Sequence, residues 1–255
     1  MRSETETAVR AVGRAMALID SREGADDITS KGGIDLVTAA DVMGEDVIRA
    51  ELESAFPDHV IVGEERGGTP VAGRPYWLVD PICGTRPYAS DVPLYCTNLA
   101  LVENGEVTAA AVAVGRSGEI LWAEKDRGAW LRRDGEERSI KVSDRSNTLW
   151  IGSMTERGAG VVRNVLIQRR WYVWQFSSSI GYAYLAAGRI AGIIHFAPSL
   201  SPVHTAAGCF ICEEAGAIVT DPFDGGPWRL GMHSFLLAAT PELHGELFEL
   251  IQQSQ

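Results

Sequence analysis

The spacing of apolar residues changes near residue 59, and that change limits the folds this chain can adopt. Before it, residues 5–20 and 41–56 place apolar side chains at helical spacing. After it, short apolar runs are separated by turn signals such as residues 103–106, ENGE. The pattern predicts two amphipathic helices and then a mostly antiparallel sheet built from hairpins, with strands at 59–62, 77–79, 97–102, 107–114 and 120–123.

Beyond residue 143 the chain alternates between strand-like and helix-like stretches, which predicts layered α/β packing. Strands are predicted at 149–152, 171–174 and 192–195, and helices at 161–168, 178–188, 202–215 and 239–253. We expect two closely packed halves, residues 1–140 and 141–255. Residues 21–38 are rich in Gly, Asp and Ser, so they are predicted to form a long loop, and long loops of this kind often carry functional residues.

Composition narrows the function classes. The 255 residues include 34 acids and 23 bases, for a net charge of -11, which argues against general nucleic-acid binding. Residues 1–14 lack the apolar core of a signal peptide, and no stretch approaches the roughly 18 apolar residues of a membrane span. We therefore expect a cytoplasmic protein without a membrane partner, whose four cysteines are reduced.

Two segments carry acids at the ends of predicted strands. They are residues 63–65, GEE, and residues 77–85, WLVDPICGT. Hard divalent cations such as magnesium prefer carboxylate and carbonyl oxygens that converge on one point. Together the segments resemble the inositol monophosphatase family, whose pattern is Gly-Glu-Glu followed downstream by Trp-x-x-Asp-Pro-Ile-Asp-Gly-Thr.

The resemblance extends over most of the chain. Lys31 and residues 35–41, DLVTAAD, resemble the upstream family segment, and residues 206–208 and 213–216 resemble its later helix. The resemblance implies an α/β fold, the layered α-β-α-β-α sandwich of the inositol monophosphatase and fructose bisphosphatase type. It also implies a divalent metal, a small phosphorylated polyol, sugar or nucleotide as substrate, and a homodimer.

Residue roles follow from the same resemblance. It implies that Glu64, Asp80 and the Ile82 carbonyl bind metal, and that Asp41 and Thr85 orient the attacking water. For the substrate we predict contacts from a further set of residues, Lys31, Gly84, Arg86 and His195.

The sequence departs from the family pattern at the positions that carry chemistry. Cys83 replaces the second Asp of the motif, His204 replaces a third metal-binding Asp, and His195 replaces a Glu that contacts substrate hydroxyls. Exchanging two carboxylates for a thiol and an imidazole removes about two negative charges and two oxygen donors, so magnesium should bind poorly there. Zinc or iron accepts N and S donors, and Cys83 and His204 suit such an ion.

Other interpretations stay open. The second metal is absent in one of them, and Cys83 and His204 then act as acid, base or nucleophile. In another, Cys83 is a packing thiol and His204 a neutral packing residue, because a helix N-terminus disfavours the charged imidazole. Three functions compete: hydrolysis with one magnesium, a repurposed cyclase, lyase or transferase reaction, and ligand binding without catalysis.

Overall fold

The structure is a computed structural model that describes residues 1–22, 28–32, 35–153, 155–164, 169–197 and 200–254. The side chains of residues 30–32, 35, 36 and 153 lie outside that description. Seven helices have defined bounds within the described residues: α1 (Ser3–Asp20), α2 (Ala39–Ala55), α3 (Thr85–Ala89), α4 (Glu156–Arg163), α5 (Ile180–Ala186), α6 (Pro202–Glu214) and α7 (Pro241–Gln253).

The described strands form one hairpin and two larger sheets. The hairpin pairs β1 (Thr29–Gly32) with β2 (Asp35–Val37). The seven-stranded sheet contains, in order, β3 (Val60–Gly63), β4 (Tyr76–Cys83), β5 (Cys96–Glu103), β6 (Glu106–Val114), β7 (Glu119–Glu124), β8 (Ala129–Arg133) and β9 (Glu136–Ile140). The five-stranded sheet has the order β11 (Tyr172–Trp174), β10 (Thr148–Ser153), β12 (Gly192–Phe196), β14 (Ser234–Ala238) and β13 (Ile218–Thr220).

The elements stack in five layers, which confirms the predicted α-β-α-β-α sandwich. Helices α1 and α2 cover one face of the seven-stranded sheet, and α5 and α6 lie on its other face. The five-stranded sheet follows, covered on its far side by α4 and α7. One hydrophobic cluster runs through the central layers from Leu78 in β4 to Leu237 in β14, so the two halves of the chain share a core. The division at residue 140 stays a prediction.

Most predicted elements are present, with some differences in extent. The sheet is built from hairpins as predicted, since every pair from β4 to β9 is antiparallel, whereas β3 and β4 are parallel. The predicted helix at 161–168 begins earlier, at Glu156 after a Thr155 cap, and ends at Arg163; residues 165–168 lie outside the description. The predicted loop at 21–38 contains the β1–β2 hairpin, which the sequence pattern did not indicate.

Two further expectations concern the whole chain. All four cysteines are free thiols. Among the described helices, none is both long and apolar enough to cross a membrane.

Candidate active site

The end of β4 turns sharply at a point where only glycine fits. The pairing of β4 with β5 shifts register between Asp80 and Cys83, and such irregularities re-aim side chains. Gly84 follows with φ of 107°, in the left-handed region that favours glycine. A Cβ on Gly84 would lie 2.7 Å from the Leu94 carbonyl oxygen. The chain therefore leaves the sheet here and enters α3.

Helix α6 brings His204 to the same place. The Ser201 side chain caps α6 by accepting from the Val203 N–H, and Pro202 suits the first turn. His204 lies in that turn, with Nδ1 2.8 Å from Oδ2 of Asp80 and 3.8 Å from Oε2 of Glu64. Residues far apart in the sequence thus meet at one point.

Three side chains at this point form a cluster of potential metal ligands. One ligand atom each from Asp80, Cys83 and His204 lies within 4.8 Å of the others. Oδ1 of Asp80 is buried and has no hydrogen-bond partner among the described residues, and a cation would satisfy it. The O, S and N donors fit zinc or iron(II), whereas magnesium requires oxygen donors.

The charge of His204 is set by its neighbour rather than by the helix end. Burial lowers the pKa of His204, but the charge of Asp80 and the hydrogen bond to it raise that pKa to about 11. The effect of Asp80 is opposite to that of the helix N-terminus, and it favours the charged imidazole over the alternative of a neutral packing residue. A hydrogen bond with Cys96, followed by burial, raises the pKa of the Cys83 thiol well above its ordinary value. Without a metal, Cys83 is therefore a neutral thiol.

A second cluster joins the start of α2 to the start of α3. Oδ2 of the fully buried Asp41 accepts from the Thr38 amide at 2.7 Å and from the Thr38 hydroxyl at 2.6 Å. The Thr85 hydroxyl lies 3.2 Å from Oδ1 of Asp41 and 3.2 Å from the Ile82 carbonyl oxygen. One hydroxyl proton can serve only one of these acceptors at a time, so Thr85 can exchange between them.

Asp41 has the ionisation behaviour of a general base. Burial raises its pKa, the Thr38 hydrogen bonds oppose that effect, and the charges of Glu65 and Asp80 add to it, giving about 6. Asp41 is therefore mostly ionised at neutral pH yet still basic. The charge of Glu65 acts on Asp41, so this second acid of the GEE segment also contributes to the site, whereas the family pattern implied a role only for Glu64.

The structure shows a different environment for His195. It lies in β12, 8% exposed, with Nδ1 2.7 Å from the Tyr182 hydroxyl and its ring 5.1 Å from that of Trp150. Burial, followed by the nearby positive charge of His204, lowers the pKa of His195 to about 4. His195 is not part of the three-ligand cluster, and its contact with substrate stays a prediction.

Two other predicted substrate contacts have no decisive geometry. Arg86 lies half-buried in the first turn of α3, and its carbonyl accepts from the Ser90 amide. Lys31 belongs to β1, and its side chain lies outside the described residues. Their roles stay predictions as well.

Sequence reasoning missed the polar residues that fix the cluster from β5 and from the two residues that precede α5. The Asn98 amide donates to Oδ2 of Asp80 at 3.3 Å and to the Ser179 hydroxyl at 2.8 Å. The Ser179 N–H donates to Sγ of Cys83 at 3.2 Å, and the Ser178 hydroxyl donates to the Cys83 carbonyl at 2.8 Å. No local motif marks these residues, because their partners come from other elements.

The sequence and the layered fold both match one known family. The model of the inositol monophosphatase family matches residues 1–255. The chain belongs to the inositol monophosphatase family. Enzymes of this family are phosphatases that normally use a divalent cation such as magnesium.

Similar proteins carry different names, including Nus factor SuhB, inositol-1-monophosphatase and fructose-1,6-bisphosphatase/inositol-1-monophosphatase. A Nus factor SuhB of Xylella fastidiosa is 33% identical over 206 residues, covering 76% of this chain and 72% of that protein. An inositol-1-monophosphatase of Rhizobium meliloti is 32% identical over 212 residues, covering 78% of this chain and 77% of that protein. Among solved structures, an IMPase of Thermotoga maritima has a TM-score of 0.88 at 27% identity, with 99% of this chain and 98% of that chain covered. The family fold therefore spans the whole chain.

Proposed function

We propose that this family member is a metal-dependent hydrolase of a small phosphorylated polyol, sugar or nucleotide, with its metal site altered to favour zinc or iron. The observation that carries the proposal is the set of three ligand atoms from Asp80, Cys83 and His204 within 4.8 Å of one another. The buried, unpartnered Oδ1 of Asp80, judged among the described residues, supports a cation at this point.

A bound divalent ion would supply Lewis acidity toward a phosphoryl oxygen and would make water easier to deprotonate. The chain's own residues supply the rest. Thr38 holds one oxygen of Asp41, which leaves Oδ1 beside the Thr85 hydroxyl. A water at Thr85 can pass its proton through that hydroxyl to Oδ1 of Asp41, whose pKa of about 6 suits a base at neutral pH. In the proposal, the guanidinium of Arg86 pairs with the phosphate.

A single magnesium is the second candidate, and retained oxygen donors favour it. Glu64, Asp80 and the Ile82 carbonyl remain as the resemblance implies, and oxygens of Glu64 and Asp80 both lie within 4 Å of Nδ1 of His204. These donors fit one magnesium ion. Cys83 and His204 do not fit a second one, because they offer sulfur and nitrogen in place of carboxylate oxygens.

Metal replacement with product analysis tests these candidates. The purified chain is stripped of metal, reloaded with zinc, iron(II) or magnesium, and incubated with polyol, sugar and nucleotide monophosphates. Phosphorus NMR distinguishes inorganic phosphate from a new phosphoester. We expect inorganic phosphate with zinc or iron, lost in Asp80→Asn, whereas activity with magnesium alone supports the second candidate.

Other outcomes would overturn hydrolysis. A new phosphoester without free phosphate would indicate a cyclase, lyase or transferase reaction that uses Cys83, His204 or His195. Binding without conversion across the whole panel would indicate a non-catalytic ligand-binding protein.

The homodimer and the cytoplasmic location are also proposals, and light scattering tests the homodimer. Because some relatives are named Nus factors, an RNA-binding measurement directly tests the expected absence of nucleic-acid binding.

A further inference from the structure

Helix α2 presents two fully buried carboxylates one turn apart, and only the first belongs to the cluster with Thr85. Asp41 makes that contact, whereas Glu45 faces the turn that follows β3. We propose that Glu45 is a positioning residue that holds this turn, and with it Glu64, at the metal site. The inference rests on the proposed metal-dependent function.

The Glu45 carboxylate binds two consecutive backbone amides of the turn. Oε2 accepts from the Glu65 N–H at 2.7 Å, and Oε1 accepts from the Arg66 N–H at 3.2 Å. Hydrogen bonds to an ionised carboxylate are stronger than those between neutral groups. The turn is therefore fastened to α2 immediately after Glu64.

Arg49 compensates the negative charge of the buried Glu45 and makes a further contact with the turn. Its Nε lies 2.7 Å from Oε1 of Glu45, and its Nη2 donates to the Gly67 carbonyl at 2.7 Å. A buried carboxylate without such a partner would be strongly unfavourable. One guanidinium thus links Glu45 to the far end of the same turn.

The first residue of the GEE segment is a glycine because of Glu45. A Cβ on Gly63 would lie 1.9 Å from Oε1 of Glu45, far inside contact distance. The carboxylate occupies the space that any larger residue would need. Part of the sequence pattern that suggests a metal site is therefore a consequence of the Glu45 contact.

Glu64 is consequently held from both sides. Its N–H donates to the Val79 carbonyl, one residue before Asp80, and the next two amides bind Glu45. This arrangement leaves the Glu64 carboxylate 3.8 Å from Nδ1 of His204. Without Glu45, Glu64 keeps its β4 contact but loses the α2 contact nearest to it. The links that remain to α2, from Arg49 to the Gly67 carbonyl and from Arg66 to Asp46, join the turn beyond Glu65. The Glu64 carboxylate is then held less firmly at the site.

Metal affinity in a double-mutant cycle tests this role. Calorimetry measures zinc binding to the full chain and to Glu45→Gln, Glu64→Gln and the double variant. We expect Glu45→Gln to weaken binding about tenfold, as is typical when a partner of a metal ligand is removed. In the Glu64→Gln background the same change should have little further effect, because Glu45 acts through Glu64. The exposed Glu53 of α2, changed to Gln, is the matched control.

Gly63→Ala provides an independent disturbance, since its Cβ must displace the Glu45 carboxylate, and it should also weaken zinc binding. Urea unfolding confirms that each variant is folded before affinities are compared. Unchanged affinity in Glu45→Gln, or the same loss with and without Glu64, would overturn the positioning role while leaving the metal site intact. A wild-type chain that binds no cation would instead overturn the metal site, and the positioning role with it.

Discussion

Nδ1 of His204 lies 2.8 Å from Oδ2 of Asp80, a carboxylate with no exposed surface. In the metal-free chain these two groups form an ion pair, because the pKa of His204 is raised to about 11. The imidazolium thus provides positive charge at a position where the family resemblance implies a metal ion. Any metal ion that uses His204 as a ligand must first displace its proton.

Metal binding should therefore release a proton near neutral pH. Calorimetry of zinc binding in buffers with different ionisation enthalpies counts the protons, and we expect about one from His204 in addition to that of the Cys83 thiol. In His204→Gln the release should fall by about one proton while the Cys83 contribution persists. Equal proton release in both proteins would contradict the assignment of His204 as a ligand.

The same ion pair predicts how stability depends on pH in the metal-free chain. The pKa of His204 is above its ordinary value of 6.5 in the folded state, so its stabilising contribution is complete below pH 6.5 and disappears as pH rises toward 11. The difference in the free energy of unfolding between wild type and His204→Gln should fall across that interval, by at most about 1.4 kcal/mol per pH unit. Urea unfolding in a chelator measures it, with the exposed His233→Gln as control. A constant difference would contradict the ion pair.

The layered fold could be predicted from the sequence because the patterns that indicate helices and turns are local. Helical spacing in residues 5–20 and the turn residues between strands each act within a few positions. The short β1–β2 hairpin was missed because its residues lie in a Gly- and Asp-rich segment without an alternating apolar pattern.

The site was predictable only where a motif marked it. Cys83 and His204 stand out because they replace residues of a family pattern, and the structure brings them together. Glu45 and Asn98 carry no such mark, since their roles come from hydrogen bonds across separate elements. The environment of His195 was also beyond reach, because its partner Tyr182 is defined by how α5 packs on β12.

Restoring carboxylates should change the metal preference. Combining Cys83→Asp with His204→Asp replaces the S and N donors by oxygen, the ligand type that magnesium prefers. We expect zinc affinity to fall at least about tenfold and magnesium binding to appear. In the free chain the added carboxylates repel Asp80, so the metal-free variant should be less stable than wild type.

Cys83→Ala is the matched single variant for this experiment. It removes the thiol without adding an oxygen donor, so zinc affinity should fall and magnesium binding should not appear. With cobalt(II) as a probe, it should also lose the thiolate charge-transfer absorption. A double Asp variant that still prefers zinc would contradict the role given to these donors.

Gly84 should tolerate no side chain. Gly84→Ala combines a φ of 107° with a Cβ only 2.7 Å from the Leu94 carbonyl oxygen, so we expect a loss of about 2–4 kcal/mol in the free energy of unfolding. Gly118→Ala is the control, since its φ is 68° but nothing lies within 4 Å of the added Cβ. That variant should lose about 1 kcal/mol from backbone strain alone. Urea unfolding measures both losses. Equal losses in the free energy of unfolding for the two variants would show that the contact with Leu94 adds nothing to the cost of the Gly84 substitution.

Asp41, the proton acceptor in the proposed hydrolysis, should determine how the rate falls at acidic pH. Burial raises the pKa of Asp41 to about 6, so its basic form is lost as pH falls below that value, and kcat/KM should decline there. Asp41→Asn should remove this acidic limb and lower the rate about 100-fold. Thr85→Val should slow the reaction because it removes the hydroxyl beside Asp41, whereas Thr85→Ser keeps the hydroxyl and should retain most activity. An acidic limb that persists in Asp41→Asn would assign the base to another group, and equal rates in the two Thr85 variants would exclude proton transfer through this hydroxyl.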